Sequence, residues 1–108
     1  MDQTSLTGAQ KSHLRGLGQT MADGLNVGKG GLSPAFLAEL EKLLARDELV
    51  KLRFHGADRH ERAALCEKIA VEARSLCVGA VGHTALFFRR NPDEKARKIA
   101  LPAAAAQN

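Results

Sequence analysis

A short glycine-rich segment, Gly28-Lys29-Gly30-Gly31, carries the residue types best suited to binding an anion. Three glycines in four positions allow positive φ angles and let a ligand approach the backbone closely. Lys29 adds a full positive charge at the tip of this segment. The following pair, Ser33-Pro34, predicts a helix N-cap and the favoured first helical position. Because free N–H groups at a helix start attract anions, the pattern predicts a phosphate-binding loop between a strand and a helix.

A simpler interpretation of the same segment is a tight turn that exposes a solvated lysine. Glycine-rich turns between strands and helices are common, so this segment alone does not distinguish the two interpretations. The segment is not a Walker A motif, which requires a longer loop that ends in Gly-Lys-Ser/Thr.

Charge and composition favour a nucleic-acid partner. The 108 residues fit one domain and carry a net charge of +4. The excess comes mainly from residues 73–108, which hold six basic and two acidic side chains. The chain has four Phe and no Trp or Tyr, so stacking of bases on aromatic side chains cannot dominate recognition.

No residue pattern indicates catalysis or metal binding. The four histidines and two cysteines do not follow the spacing of a familiar zinc site. The pair His60-Glu61 does not extend to an HExxH motif, and no serine lies in a nucleophile-elbow sequence. We therefore expect no enzymatic activity, no catalytic residues, no metal and no cofactor.

Cysteine use and hydropathy predict a cytoplasmic protein. Cys66 and Cys77 are isolated in the sequence, so we expect reduced, partly buried thiols, with a disulfide as the less favoured alternative. The N-terminal residues do not form a signal-peptide pattern, and no apolar run is long enough to span a bilayer.

Hydrophobic periodicity predicts an α/β (α+β) fold. We expect an N-terminal helix and then the order β-α-β-α-β-β, with helices packed on a small mixed sheet of four strands. Residues 1–5 are predicted to be flexible, residues 6–101 to form one domain and residues 102–108 to be a disordered tail. The predicted elements are a helix that begins after Thr7, a strand at 25–27, a helix at 33–46, a strand at 48–55, a helix from 58 to about 76, and strands at 78–81 and 85–89.

Pairs of basic side chains accompany several of these elements. In the strand at 48–55, Lys51 and Arg53 alternate with apolar residues, which predicts one packed face and one wet, basic face. Each pair is either part of an RNA-binding surface or simply solvated. The other pairs are Lys11 and Arg15 on the first helix, and Arg89 and Arg90 after the last strand.

Four segments, in the same order and spacing, resemble the YhbY-like or CRM (chloroplast RNA splicing and ribosome maturation) domain. The resemblance covers roughly residues 6–101. Two departures are Ala22-Asp23-Gly24, where the family often has a proline, and Phe88, where it often has a tyrosine. The four segments are Leu6–Arg15, Gly28–Ser33, Glu48–Arg53 and Val81–Arg89.

The resemblance implies both a fold and a ligand. The family's fold is similar to the C-terminal domain of translation initiation factor three, and its loop after the first strand resembles the GxxG loop of KH domains, which clamps an RNA backbone. Single-domain bacterial members are associated with precursors of the large ribosomal subunit, and a chain of this length resembles that kind. Here the GxxG pattern corresponds to Gly28, Lys29, Gly30 and Gly31.

The resemblance thus implies a bacterial RNA-binding protein that assists assembly of the large ribosomal subunit. Its partner is ribosomal RNA rather than DNA or a membrane, and it is expected to be a monomer. Alternatively, the charged faces of the second and third helices dock ribosomal proteins, in which case charge reversal at Glu39, Glu61 or Glu72 would disrupt binding. The predicted RNA contacts are Gly28, Lys29, Gly30, Gly31, Lys11, Arg15, Lys51, Arg53, Arg89 and Arg90.

Overall fold

The computed structural model describes residues 6–28 and 32–102. It confirms the predicted fold class and the predicted order of the main elements. A short 3₁₀ helix, Glu94–Ala96, follows the last strand. The main elements are α1 (Gly8–Gly18), β1 (Leu25–Val27), α2 (Pro34–Asp47), β2 (Leu49–Phe54), α3 (Arg59–Glu72), β3 (Leu76–Val81) and β4 (Thr84–Phe88).

The four strands form one mixed sheet with the order β1-β2-β4-β3. β1 lies at one edge and pairs in parallel with β2, so that Val27 is opposite Phe54. The other two pairings are antiparallel. β3 and β4 form a hairpin with a two-residue loop, whose first residue, Gly82, has φ +59°. Glycine adopts this positive φ without the steric cost that a Cβ imposes.

Helices α2 and α3 cover one face of the sheet. Alternation along β2 points Val50, Leu52 and Phe54 toward this face, as predicted. Leu40 of α2 and Ile69 of α3 are fully buried against them. Burying a large aliphatic side chain stabilises the fold by about 1.5–3 kcal/mol, so this layer is the main core.

The opposite face of the sheet is covered by α1 and by the chain that follows β4. Leu14 of α1 is fully buried there, and Ile99 and Leu101 pack against the same cluster. The predicted wet face is therefore wrong along the first half of β2, where Leu49 is buried and Lys51 is half-buried. Alternation gives the side of the sheet that a residue faces, but not whether a distant helix covers that side.

Side-chain caps fix the starts of the helices. A capping box fixes the start of α1, where the sequence predicts it after Thr7: the Gln10 N–H donates to Thr7 Oγ1, and Gln10 Oε1 accepts from the Thr7 N–H. Ser33 caps α2, and Asp58 caps α3 through a second capping box with Glu61. Each such cap contributes about 1 kcal/mol, which explains why sequence signals located these starts well.

The prediction that α3 continues to about Leu76 is wrong. The helix ends at Glu72, and Leu76 begins β3. Arg74 follows the cap with φ +50°, and the Ser75 N–H donates to the Ala70 carbonyl at 2.9 Å. This bond closes a Schellman-type turn, whose left-handed position glycine usually occupies. Because an arginine occupies it here, the sequence carries no signal for the helix end.

Glu48 joins α2 to the chain that follows β4. It ends α2 with φ +68° and has no exposed surface. Its carboxylate accepts backbone N–H groups from Asn91 at 2.6 Å, Lys98 at 2.9 Å and Ile99 at 3.1 Å. The Arg90 Nη1 atom lies 3.5 Å from the same carboxylate. The segment around residues 91–99 is thus tied to the domain by one buried side chain.

The predicted ends of the domain are only partly described. Pro102, which was assigned to the tail, is described, and its carbonyl oxygen accepts a hydrogen bond from Gln10 Nε2 at 2.9 Å. The flexible N-terminus predicted at 1–5 and the rest of the tail, 103–108, lie outside the described residues.

Substitution of Gly18 by alanine should destabilise the domain. A Cβ at this position would overlap the methyl carbons of the buried Leu86. We expect a loss of about 1–3 kcal/mol from overpacking, measured by chemical denaturation. Gly16→Ala is the matched control, because a Cβ there meets open space, and it should stabilise α1 by about 0.5–1 kcal/mol. Equal effects of the two substitutions would contradict this packing.

Substitution of Glu48 by glutamine should loosen the chain after β4. The amide group replaces one acceptor oxygen with a donor, which leaves at least one buried N–H unpaired at a cost of about 1–3 kcal/mol. We expect faster hydrogen exchange at the amides of Asn91, Lys98 and Ile99. Glu94→Gln is the control, since its carboxylate is 84% exposed. Unchanged exchange in Glu48→Gln would show that the segment is held by other contacts.

Candidate nucleic-acid interface

Both ends of the glycine loop (Gly28–Gly31) are held by the fold. Val27, just before the loop, is buried, and its carbonyl accepts the His55 N–H at 2.9 Å. After the loop, Ser33 Oγ accepts the Phe36 N–H at 3.1 Å. Gly28 is exposed, and a Cβ there would meet open space. The predicted contacts Lys29, Gly30 and Gly31 lie outside the described residues.

A short polar row lies on the sheet next to the loop. Asn26 is opposite Arg53 in the β1–β2 register, so their side chains share a face of the sheet. His55, just beyond the end of β2, lies with its Nε2 atom 2.8 Å from Asn26 Oδ1. Sequence alternation placed His55 on the Arg53 side, but Asn26 was missed because its position depends on the parallel register.

Arg53 is already paired with an acidic side chain. Its Nε atom donates to Asp23 Oδ2 at 2.6 Å, and both side chains are partly exposed. The hydrogen bond from Arg53 lowers the pKa of Asp23 below its ordinary value. Asp23 therefore stays ionised at neutral pH and reduces the positive potential beside the loop. The sequence does not predict this pair because the two residues are distant in the chain.

Lys51 stabilises the end of α1. Its Nζ atom donates to the carbonyl oxygens of Gly18 at 3.1 Å and Met21 at 3.3 Å. A cation at the C-terminal end of a helix also interacts favourably with the helix dipole. Lys51 thus stabilises the end of α1, a structural role that its sequence pattern did not indicate.

Arg15 and Lys51 line a groove between α1 and the β3–β4 hairpin. Arg15 Nη1 donates to the Val78 carbonyl at 3.0 Å, and its aliphatic carbons lie over Gly79. Lys11, one helical turn earlier, is exposed. Arg15 is held close to the sheet, while Lys11 extends the charge of α1 into the solvent.

Arg89 and Arg90 lie at the other end of the sheet. Phe88 is opposite Leu49, at the start of β2, on the order of 17 Å along the strand from the loop end. Arg89 makes a bidentate ion pair with Glu41 at 2.7 and 2.8 Å. Arg90 Nη1 donates to the Ile99 carbonyl at 2.6 Å. The structure does not bring these two arginines to the loop, and their contacts hold the fold together.

The structure thus assembles only part of the predicted surface. At the loop corner it places Gly28 and Arg53 beside Asn26 and His55, and Arg15 and Lys51 lie in the α1 groove. Within residues 6–28 and 32–102, His, Cys, Asp and Glu side chains do not gather in groups of three that could hold a metal ion. In the same ranges, every helix is too short or too polar to cross a membrane.

Comparisons with known proteins give a consistent result. The family model of the CRS1 / YhbY (CRM) domain matches residues 6–89. A probable RNA-binding protein of Pseudomonas aeruginosa is 36% identical over 88 residues, which cover 82% of this chain and 85% of that protein. An RNA-binding protein of Haemophilus influenzae is 35% identical over 99 residues, covering 92% of this chain and 97% of the other.

The fold also matches a solved structure. The solution structure of a hypothetical protein from Staphylococcus aureus superposes with a TM-score of 0.77 at 28% sequence identity. The match covers 91% of this chain and all of that one. The similarity therefore extends over nearly the whole of both chains.

Proposed function

This chain belongs to the CRS1 / YhbY (CRM) domain family, and on that premise we propose that it binds structured ribosomal RNA through its glycine loop. The observation that carries the proposal is the position of that loop. It connects the fixed end of β1 to a capped helix start, beside the polar row of Asn26, Arg53 and His55. Relatives that share about a third of their residues with this chain are named RNA-binding proteins.

The proposed contact is with the RNA backbone. Gly28, Gly30 and Gly31 allow a phosphate to approach main-chain N–H groups, and Lys29 supplies a charge-assisted hydrogen bond. The start of α2 adds the positive end of a helix dipole. Contacts of this kind position a protein without reading the bases, so recognition rests on RNA shape.

The predicted cations fall into three groups in this proposal. Lys29, Arg53 and the exposed Lys11 are candidates for RNA contact, and Arg15 and Lys51 add positive charge in the α1 groove. Arg89 and Arg90 are left out, because their guanidinium groups bind Glu41 and the Ile99 carbonyl. The list is therefore shorter than the one the sequence predicted.

We further propose that the bound RNA belongs to a precursor of the large ribosomal subunit, as the family resemblance implies, and that the protein acts there as a monomer without catalysis. Docking on ribosomal proteins through α2 and α3 is the alternative outcome of the tests. Glu39 and Glu72 are the cleaner charge-reversal probes for it, because the Glu61 carboxylate accepts the Asp58 N–H and caps α3.

Substitution of Lys29 by glutamate should weaken RNA binding. Loss of one charge-assisted phosphate contact should reduce affinity for purified large-subunit ribosomal RNA about tenfold or more. The slope of log affinity against log salt should also become shallower by about one. Filter binding at several salt concentrations measures both quantities.

Lys42→Glu is the matched control for this experiment. It makes the same change in net charge on the exposed surface of α2, where the new glutamate is four residues before Arg46. We expect it to change affinity much less than Lys29→Glu. Equal losses from the two substitutions would indicate a general charge effect and would remove the loop from the proposal.

Substitution of Asp23 by asparagine should strengthen RNA binding. It removes a negative charge and releases Arg53 for a phosphate, which should raise affinity about two- to fivefold at low salt. Asp47→Asn is the control, because Asp47 forms a similar exposed ion pair, with Arg46, at the far end of α2. If both substitutions raise affinity equally, or neither does, Arg53 is not an RNA contact.

Sedimentation of cell extract on a sucrose gradient tests the ribosomal part. Wild-type protein should migrate with a large-subunit precursor, and the folded Lys29→Glu variant should not. Migration of both forms with the precursor would favour protein docking over loop–RNA contact. If both forms stay at the top of the gradient and do not sediment with ribosomal particles, the proposed ribosomal role is wrong, even if the purified protein binds RNA.

A further inference from the structure

The fold brings the two cysteines together from separate elements. Cys66 lies on α3 and Cys77 on the edge strand β3, and both line a groove between α3 and the β3–β4 hairpin. Both cysteines are free, and the Cys77 thiol donates a hydrogen bond to the Gly79 carbonyl at 3.8 Å. Nothing in the proposed RNA contact uses this pair.

The two thiols have different surroundings. Cys77 is exposed to solvent, whereas Cys66 is half-buried against the main core. A register shift between Cys77 and Gly79 marks a bulge in β3, and bulges change the direction in which neighbouring side chains point. A reagent in solution can therefore reach Cys77 first, with Cys66 behind it in the same groove.

The two thiols also differ in acidity. Donation from Cys66 lowers the pKa of Cys77 to about 7, while the same bond and burial raise the pKa of Cys66. The lowered pKa of Cys77 favours its thiolate, which is the nucleophilic form. The charged side chains that line the groove are Arg59, Arg62 and Glu67, all from α3.

We propose that Cys77 is a hydroperoxide-reactive thiol and that Cys66 resolves its oxidised form, so that the pair closes to a reversible disulfide. The Cys77 thiolate attacks one peroxide oxygen, the S–O bond forms and the O–O bond breaks. The leaving hydroxide takes a proton and becomes water, and Cys77 becomes a sulfenic acid.

The second step consumes Cys66. Its sulfur attacks the Cys77 sulfur, an S–S bond forms, and the sulfenic oxygen leaves as water with the Cys66 proton. Two thiols lose two electrons in total and one hydroperoxide is reduced. Because both cysteines line the same groove, closure requires the two sulfurs to approach to a bond length of about 2.05 Å. A small-molecule dithiol reverses the bond by exchange.

The first experiment treats the full-length protein with one equivalent of hydrogen peroxide at pH 7. Free thiols are then alkylated, and the intact mass is measured with and without a dithiol reductant. We expect a monomer that has lost two hydrogens and takes up no alkyl group, and that regains two alkylation sites after reduction. Two thiols that remain alkylatable, or a disulfide between two chains, would overturn the proposal.

Variants separate the roles of the two cysteines. Cys66→Ser retains a hydrogen-bond donor but cannot form a disulfide, so the sulfenic acid on Cys77 should accumulate and be trapped by dimedone. Cys77→Ser should leave Cys66 unlabelled under the same conditions. Dimedone labelling of Cys66 in the second variant, or none in the first, would contradict the assignment.

The pH dependence of alkylation tests the role of the hydrogen bond. The rate at Cys77 should have a midpoint near the thiol pKa of about 7 in Cys66→Ser. In Cys66→Ala, which lacks the donor, the midpoint should rise toward the value of a free cysteine, about 8.5. The same midpoint in the two variants would show that Cys66 does not activate Cys77. Circular dichroism confirms that each variant is folded.

Discussion

The buried carboxylate of Glu48 connects parts of the chain that no backbone ladder joins. It sits between α2 and β2, and it accepts N–H groups from Asn91, Lys98 and Ile99. A carboxyl group is costly to bury unless hydrogen bonds replace its lost hydration. Here three N–H donors supply that replacement, so the chain after β4 must stay against the domain. With α1, that chain covers one face of the sheet, which leaves β1, β3 and the loops at the edges as the accessible backbone.

Coverage of both faces decides which cations remain for a ligand. Arg89 lies over the end of α3, where its guanidinium group binds the Ala73 carbonyl and Glu41. Lys51 binds the carbonyls at the end of α1. In each case a positive charge satisfies backbone acceptors that a helix end leaves unpaired. The net charge of +4 therefore overstates how much positive charge is free to bind an anion, because some of the basic side chains stabilise helix ends.

The sequence predicted best what local physics controls. The N-caps at Thr7, Ser33 and Asp58 are local patterns, and the helix starts predicted from them agree with the structure. Alternation in β2 also assigned Val50, Leu52 and Phe54 to one face of the sheet. The end of α3 was missed because Arg74 adopts a positive φ that its residue type does not signal. The partners of Arg53 and Glu48 were missed because each contact joins residues far apart in the chain.

The difference between local patterns and contacts across the chain also applies to the candidate interface. The glycine loop could be recognised from sequence because its residue types, the helix cap after it and the family pattern all lie within a few positions. Its neighbours could not, since Asn26 and His55 meet only through the parallel register of β1 and β2. A loop whose two ends are fixed by a strand and a capped helix loses less conformational entropy on binding than a free segment of the same length. In the proposed contact with an RNA backbone, the fixed ends of the loop matter more because part of the basic charge is bound within the fold and the sequence has no Trp or Tyr.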